Sequence, residues 1–393
     1  MEVKQIYELV NAATTEALGQ DNVLAEDLSN LVDIGDSIQN ARGIENYVRS
    51  LVDHIGKVIF VNRPYAGSAP AVLRDGWEYG SILEKIHAQL PVATENETWE
   101  LEDGASYDPN IFYKPNVAAK FFNSKTTWEI PMSFAERQAK SSFSNAGQMN
   151  GFLSMLYTSV ENSATIKTSE LIMRTINNFT ADTVYNFTSG GGTYTDAGNT
   201  RCVNLLAMYN ATVPEAQRLS SAAAAVQDKG FIRYAAYIMN LYKSRMTRMS
   251  SLFNIGGQPR FTPSDRLHIV MLSEFAQAAD VYLQSEAFHN TFVELPKAET
   301  VPYWQGSGTG YAFADTSKIM VKTKTSGANT VTATGVLAVM FDRDALGVCN
   351  QDRRVTTNYN PKAEFFSNWY KFDTSYFNDQ NENFVVFYAA VAG

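Results

Sequence analysis

The chain is poor in the residues that most chemistry depends on. It has 393 residues but only two cysteines, Cys202 and Cys349, far apart in sequence. That spacing excludes a disulfide framework and a cysteine zinc site, and fits a chain kept in a reducing compartment. Only four histidines occur, at 54, 87, 268 and 289. No apolar run approaches the ~18 residues that would mark a membrane-crossing helix, and "MEVKQIYELVNAATTEAL" lacks the apolar core of a secretory leader. Charged residues make up only 19%, and the net charge of −9 argues against a chain that grips nucleic acid over a whole face. Motifs for phosphate loops, zinc peptidases and nucleophile elbows are all missing from the sequence.

The remaining candidates for chemistry each have a plainer reading. "GSGTGYAF" (306–313) lacks the last glycine of a dinucleotide turn and precedes strand-like sequence, whereas that turn needs a strand before it and a helix after. His268 lies in an apolar stretch and reads as structural. Asp342 and Asp344 flank Arg343 in "FDRDALG", the pattern of a surface cap rather than a carboxylate pair. Neither cysteine has a His or Asp signature near it. No cofactor, metal site or catalytic residue is expected, and the chain reads as a non-enzyme.

What is abundant is apolar patterning. Stripes such as Ile6, Leu9, Val10 and Ala13 predict helices over the first sixty residues. "GSILEKIHAQL" (80–90) predicts a short helix stopped by Pro91. Residues 105–142 then form a two-limbed extended stretch, with Pro109 and Pro115 on one limb and Phe121, Phe122, Trp128 and Ile130 on the other. A long helix is expected over about 145–178. The spacing of Phe231, Ala235, Ile238, Tyr242, Met246, Met249 and Phe253 predicts an amphipathic helix whose other side carries Arg233, Lys243, Arg245 and Arg248. Another helix is expected from Ser264 through "SDRLHIVMLSEFAQAADVYLQSEAF". The last ninety residues return to strand, in "KIMVKTKT", "TVTATGVLAVMF", "RRVTTNYN" and "NFVVFYAAVA". The class is α+β, with late strands that must pair with distant early ones.

One late segment stands apart. "FFSNWYKFDTSYF" (365–377) is aromatic at Phe365, Phe366, Trp369, Tyr370, Phe372, Tyr376 and Phe377. Such a strand must be covered on both faces, either by the chain itself or by another molecule.

This layout resembles the tailed-phage major capsid proteins of Hong Kong 97 fold. The resemblance rests most on "FTPSDRLHIVMLSEFAQAADVYLQSEAFHNTFVELP" (261–296) and on 334–390, from "TGVLAVMFDRDALGV" to "NFVVFYAA". Both are similar to the corresponding parts of capsid proteins from small phages of low-GC Gram-positive hosts. It implies an N-terminal helical arm region (1–74) and a peripheral domain (75–104, 143–194 and 340–380) with a spine helix near 145–178. It further implies an extended loop (105–142) and an axial domain (195–339 and 381–393). The implied function is self-assembly into hexamers and pentamers of an icosahedral shell around double-stranded DNA, held without sequence-specific binding. Portal and scaffolding proteins would be further partners, with no membrane, in a virion assembled in the bacterial cytoplasm. Subunit contacts would involve Phe112, Tyr113, Phe121, Phe122, Trp128, Trp369, Tyr370 and Phe372. An encapsulin-like compartment shares the fold; a glycan-binding protein would explain the Tyr, Trp and Asn content; an enzyme with a site assembled from distant residues is the third alternative.

Overall fold

The computed structural model describes residues 64–67, 69–73, 83–95, 103, 104, 108, 110–135, 146–284, 295–305 and 310–391. The helices expected before residue 60 lie outside the described residues. The chain divides into two compact units. Unit 1 holds 1–66, 129–164 and 355–370; unit 2 holds 67–128, 165–354 and 371–393.

Unit 2 is organised around a five-stranded mixed sheet. Its strands are β4 (Cys202–Asn204), β5 (Leu267–Leu272), β6 (Glu299–Val301), β9 (Val336–Asp342) and β12 (Phe384–Tyr388). Their order is β4-β12-β9-β5-β6. The centre is antiparallel, β12 against β9 against β5, and the flanking pairs β12/β4 and β5/β6 are parallel. All seven residues of β9 and all five of β12 are buried. Strands covered on both faces cannot alternate, so these read as unbroken apolar runs. The same logic corrects one expectation: the first half of the helix expected from Ser264 is strand β5. Its run "LHIVML" fills the sheet interior, and helix resumes only at Ser273–Gln284 (α5).

Helices α2 (Leu205–Thr212), α3 (Ala222–Val226) and α4 (Lys229–Met246) complete this lobe, each with a side-chain cap. The caps are Asn204 on Ala207 N, Ser221 on Ala224 N and Asp228 on Phe231 N. The apolar stripe of α4, from Phe231 through Ala235, Ile238 and Tyr242 to Met246, is buried as its spacing requires. The helix stops at Met246, so Met249 and Phe253 lie beyond it; Phe253 is buried but Met249 is 49% exposed. Asn204 also ties in the far C-terminal strand: its Nδ2 donates to Ala390 O (2.8 Å), and Ala390 N donates to its Oδ1 (3.1 Å). Short strands β7 (Ile319–Val321) and β8 (Val331–Ala333) pair beside a single helical turn, α6 (Phe313–Thr316).

Four elements supply residues to both units: helix α1 (Ala146–Ser189) and strands β3 (Lys125–Ala135), β10 (Leu346–Asn360) and β11 (Phe365–Asn378). Helix α1 has 44 residues, eleven longer at its C-terminal end than expected. At 1.5 Å per residue it is about 66 Å long. Polar residues from 175 to 183 hid that extension, because Thr175, Thr180 and Thr183 are buried. Their hydroxyls donate to the carbonyls of Leu171, Ile176 and Phe179. The three strands form a sheet in the order β10-β11-β3. Pro131 is tolerated within β3 because that strand is at the sheet's edge.

Residues 80–90 carry a second correction. Leu83–Ala88 is a strand (β1), not a helix, and pairs antiparallel with β2 (Val117–Phe122). Its burial alternates residue by residue, the two-residue period of a half-covered strand. The returning limb of the extended stretch is therefore two strands, β2 and β3, in different sheets.

Candidate subunit-contact surfaces

The β1–β2 ribbon is a candidate arm, and its register sorts its side chains cleanly. Leu83 pairs with Phe122, Lys85 with Lys120 and His87 with Ala118 on one face; Glu84 with Phe121, Ile86 with Ala119 and Ala88 with Val117 on the other. The first face packs on the rest of unit 2. Phe122 lies against Phe377 with ring centroids 5.2 Å apart, and Lys85 Nζ is 5.9 Å from the same Phe377 ring.

A buried carboxylate holds this inner face down. Asp379, whose side chain is fully buried, accepts from Lys85 Nζ at 2.7 Å and from Lys120 Nζ at 3.0 Å. Lys85 spends its remaining donors on Glu382 Oε1 (3.3 Å) and the carbonyl of Asp344 (3.0 Å). Arg260 Nε stands 3.6 Å from Glu382 Oε2. Burial by itself would push the Asp379 carboxyl up, but the two ammonium groups outweigh it and hold the pKa below the usual carboxylate range. A two-stranded ribbon is marginal alone, so these ion pairs set the arm's root. No local motif could have revealed them, since Lys85, Lys120 and Asp379 meet only through the fold.

The outer face has no such cover. Ile86 is 64%, Val117 56% and Phe121 62% exposed. Beyond the ribbon, the tip exposes Val92, Ile111, Phe112 and Tyr113, with Phe112 at 84%. Of the aromatic residues expected at subunit contacts, Phe112, Tyr113 and Phe121 therefore face water in the single chain.

The other candidates are at least partly committed within the chain. In unit 2, Trp128 Nε1 donates to Thr374 Oγ1 (2.9 Å), and Lys167 Nζ stands 5.8 Å over its ring. Phe372 is buried, with the Arg353 guanidinium 5.4 Å from its ring. In unit 1, Tyr370 meets Tyr157 of α1 edge-on at 6.5 Å; burial first, then Tyr157, raises the Tyr370 pKa. Strand alternation puts Trp369, half-buried, on the opposite face. Tyr359 and Phe366 pair across the β10–β11 hairpin at 4.7 Å. Only Phe372 and Phe377 of the seven aromatics in 365–377 are buried; the other five are half-buried.

The groups weighed for chemistry have structural settings. His268 is in β5, not in a helix, stacked on Phe341 at 5.8 Å and 3.8 Å from Glu299. Asp342 is buried rather than at the surface, its Oδ1 accepting from Asp344 N (2.8 Å), while Asp344 pairs with Arg266 (2.9 Å). Cys202 and Cys349 are buried free thiols; burial, the largest influence, pushes Cys202 up to about 12. Among the described residues, no cluster of three His, Cys, Asp or Glu could hold a metal ion, and no helix is long and apolar enough to cross a membrane.

Known proteins place this architecture. A chain from the capsid structure of Staphylococcus phage Andhra superposes with a TM-score of 0.53 at 9% identity, over 85% of this chain and 87% of that one. The major capsid protein of Bacillus phage GA-1 is 24% identical over 169 residues, covering 42% of this chain and 34% of that protein. The first similarity carries the fold, the α+β capsid fold expected from the sequence. The profile of Phi29-like phage major capsid proteins matches residues 10–388, and on that match the chain belongs to the Phi29-like phage major capsid protein family.

Proposed function

We propose that this protein is the shell subunit of a phage head, self-assembling into hexamers and pentamers of an icosahedral capsid around double-stranded DNA. The observation that carries the reading is the arm: a ribbon fixed to its own subunit by buried ion pairs on one face and left apolar and uncovered on the other. An anchored ribbon with a bare outer face needs a neighbour. In this reading the extended loop expected at 105–142 is rooted on the β1–β2 ribbon, 83–122. Helix α1 serves as the spine of the peripheral region and the five-stranded lobe as the axial region. The face of β11 bearing Trp369 lies under a neighbour's arm. Residues 1–74 act as an N-terminal arm region, and portal and scaffolding proteins complete the head in the cytoplasm of a bacterial host.

The shell needs no catalytic residues. One chain must occupy many similar environments, which a long arm tolerates and a rigid flat interface does not. Each contact is weak, but a subunit held by several neighbours leaves slowly. The net charge of −9 keeps enclosed DNA from adhering along the whole inner wall. Replacing residues 90–115 by an Asn-Gly turn, which preserves β1, β2 and the root ion pairs, tests the reading. The shortened chain should fold and remain dispersed under conditions in which the intact chain forms particles visible by electron microscopy. Particles of normal size from the shortened chain would count against it.

A further inference from the structure

Two stretches of unit 2 carry opposite charge with no admixture. Residues 229–264, covering α4 and the loop after it, hold Lys229, Arg233, Lys243, Arg245, Arg248 and Arg260 and no acid. Residues 89–113, the arm tip, hold Glu95, Glu97, Glu100, Glu102, Asp103 and Asp108 and no base. In a chain of net charge −9, a helix and exit loop that hold bases and no acid are an uneven distribution; Arg260 is paired with Glu382, which leaves the C-terminal end of α4 as the part to consider.

The basic stretch presents a definite surface at the C-terminal end of α4. Arg245 and Arg248 are exposed, and neither they nor Lys243 has a carboxylate within ion-pair distance among the described residues. Beside them the loop doubles back on itself, with Ser250 N donating to Arg260 O (2.9 Å) and Arg260 N to Ser250 O (3.0 Å). This doubling brings forward Met249, Leu252 and Phe261, which are 49%, 57% and 50% exposed. Cations in a helix's last turn offset its dipole. That accounts for Lys243 and Arg245, but not for Arg248 beyond the helix end or for three bare apolar side chains beside it. Arginine, methionine and aromatics together, without acids, are the composition of a protein-contact surface, and a phosphodiester backbone has no use for the apolar part.

The arm tip is the matching surface. It is acidic, and it bears its own exposed apolar residues, Val92, Ile111, Phe112 and Tyr113. Val92, Ile111, Phe112 and Tyr113 of the tip, and the exposed arginines and apolar side chains beside α4, are all open to water in the single chain, so neither group covers the other there. We propose that the arm tip of one subunit docks on the basic, apolar shelf formed by Arg245, Arg248, Met249, Leu252 and Phe261 of the next. Such a contact joins two different patches, so it is head-to-tail, the kind that closes rings of five or six. The proposal rests on the shell reading and names the surface that the arm's tip would find.

Charge reversal with rescue tests it on the full chain. One variant carries Arg245→Glu and Arg248→Glu, a second Glu95→Lys and Asp103→Lys, and a third all four; these are exposed positions, and circular dichroism checks their folding. Assembled particles are measured by sedimentation. Each reversal alone should lower the yield about tenfold, and the combination should recover to within about threefold of the native chain. Separately, chains bearing Phe112→Cys and Leu252→Cys, mixed and mildly oxidised, should form a disulfide-linked dimer absent from either alone. Reversed variants that assemble like the native chain, or a quadruple variant no better than the single reversals, would overturn the docking while leaving the shell reading in place. So would Arg245→Glu/Arg248→Glu particles of normal yield that have lost DNA, since the shelf would then serve the nucleic acid. A native chain that neither assembles nor cross-links sinks both readings.

Discussion

Asp379 offers the sharpest test of how the arm is held. Asp379→Asn keeps the side chain's shape and removes its charge, leaving Lys85 and Arg260 on Glu382 and taking from Lys120 its ion-pair partner. Breaking a fully buried pair by deleting one partner costs about 3–5 kcal/mol. Here the two lysine side chains are 19% and 36% exposed and can recover part of their hydration. The expected loss is therefore smaller, about 2–3 kcal/mol. The loss should be local, because the ribbon contributes little to the buried core of the five-stranded lobe. Hydrogen exchange of the β1 and β2 amides reads it directly: protection there should fall by the equivalent of that energy, while β9 and β12 stay protected. The sign with pH is also fixed. The folded pKa of Asp379 lies below its unfolded value of about 3.9, so its contribution is complete above that pH and fades as pH falls through the folded value. Arm protection should be level from neutrality to mildly acidic pH and drop below about pH 4, and in Asp379→Asn that drop should be much reduced. A variant whose ribbon exchanges within about 0.5 kcal/mol of the native chain would refute the reasoning.

Other consequences can be checked on the purified subunit. Phe387 is fully buried and meets the Tyr242 ring at 5.3 Å, so Phe387→Ala should cost about 3–5 kcal/mol by urea denaturation. Gly335 has φ +70°, and a Cβ there would lie 2.0 Å from the Ala389 carbonyl oxygen; Gly335→Val should destabilise by at least about 3 kcal/mol or prevent folding. Trp128→Phe removes the bond to Thr374 Oγ1 and shrinks the ring beneath Lys167 Nζ, so a loss of about 1–2 kcal/mol is expected by the same method. The Cys202 thiol, buried and raised to about 12, should resist a thiol reagent at pH 8 until the protein unfolds.

Legibility followed the period of the pattern. The amphipathic helix α4 and the buried strands β9 and β12 could be read directly, because their apolar spacing states how many faces are covered. Strand β5 was misread because a short apolar run has no period of its own, and the helix that follows lent it a false one. β1 was misread for a different reason. Leu83, Ile86 and Leu90 match a helical stripe, and only pairing with β2 shows that Ile86 points the other way from Leu83. The candidate contacts divided similarly. Exposure of Phe112, Tyr113 and Phe121 is what an arm implies, whereas aromaticity alone could not separate Phe372, spent on the chain's own core, from Trp369. The Asp379 cluster was beyond reach, because its partners are hundreds of residues apart and lysine on a strand has no signature of burial.

The account stands or falls on self-association through the arm. The most direct measurement is light scattering with electron microscopy on the intact chain, across protein concentration and salt, beside the chain whose tip is replaced by a two-residue turn. The account predicts rings or closed particles tens of nanometres across, on the order of other multivalent shells, from the intact chain and a folded, dispersed subunit from the shortened one. An intact chain that stays monomeric throughout, or a shortened chain that builds the same particles, would contradict it.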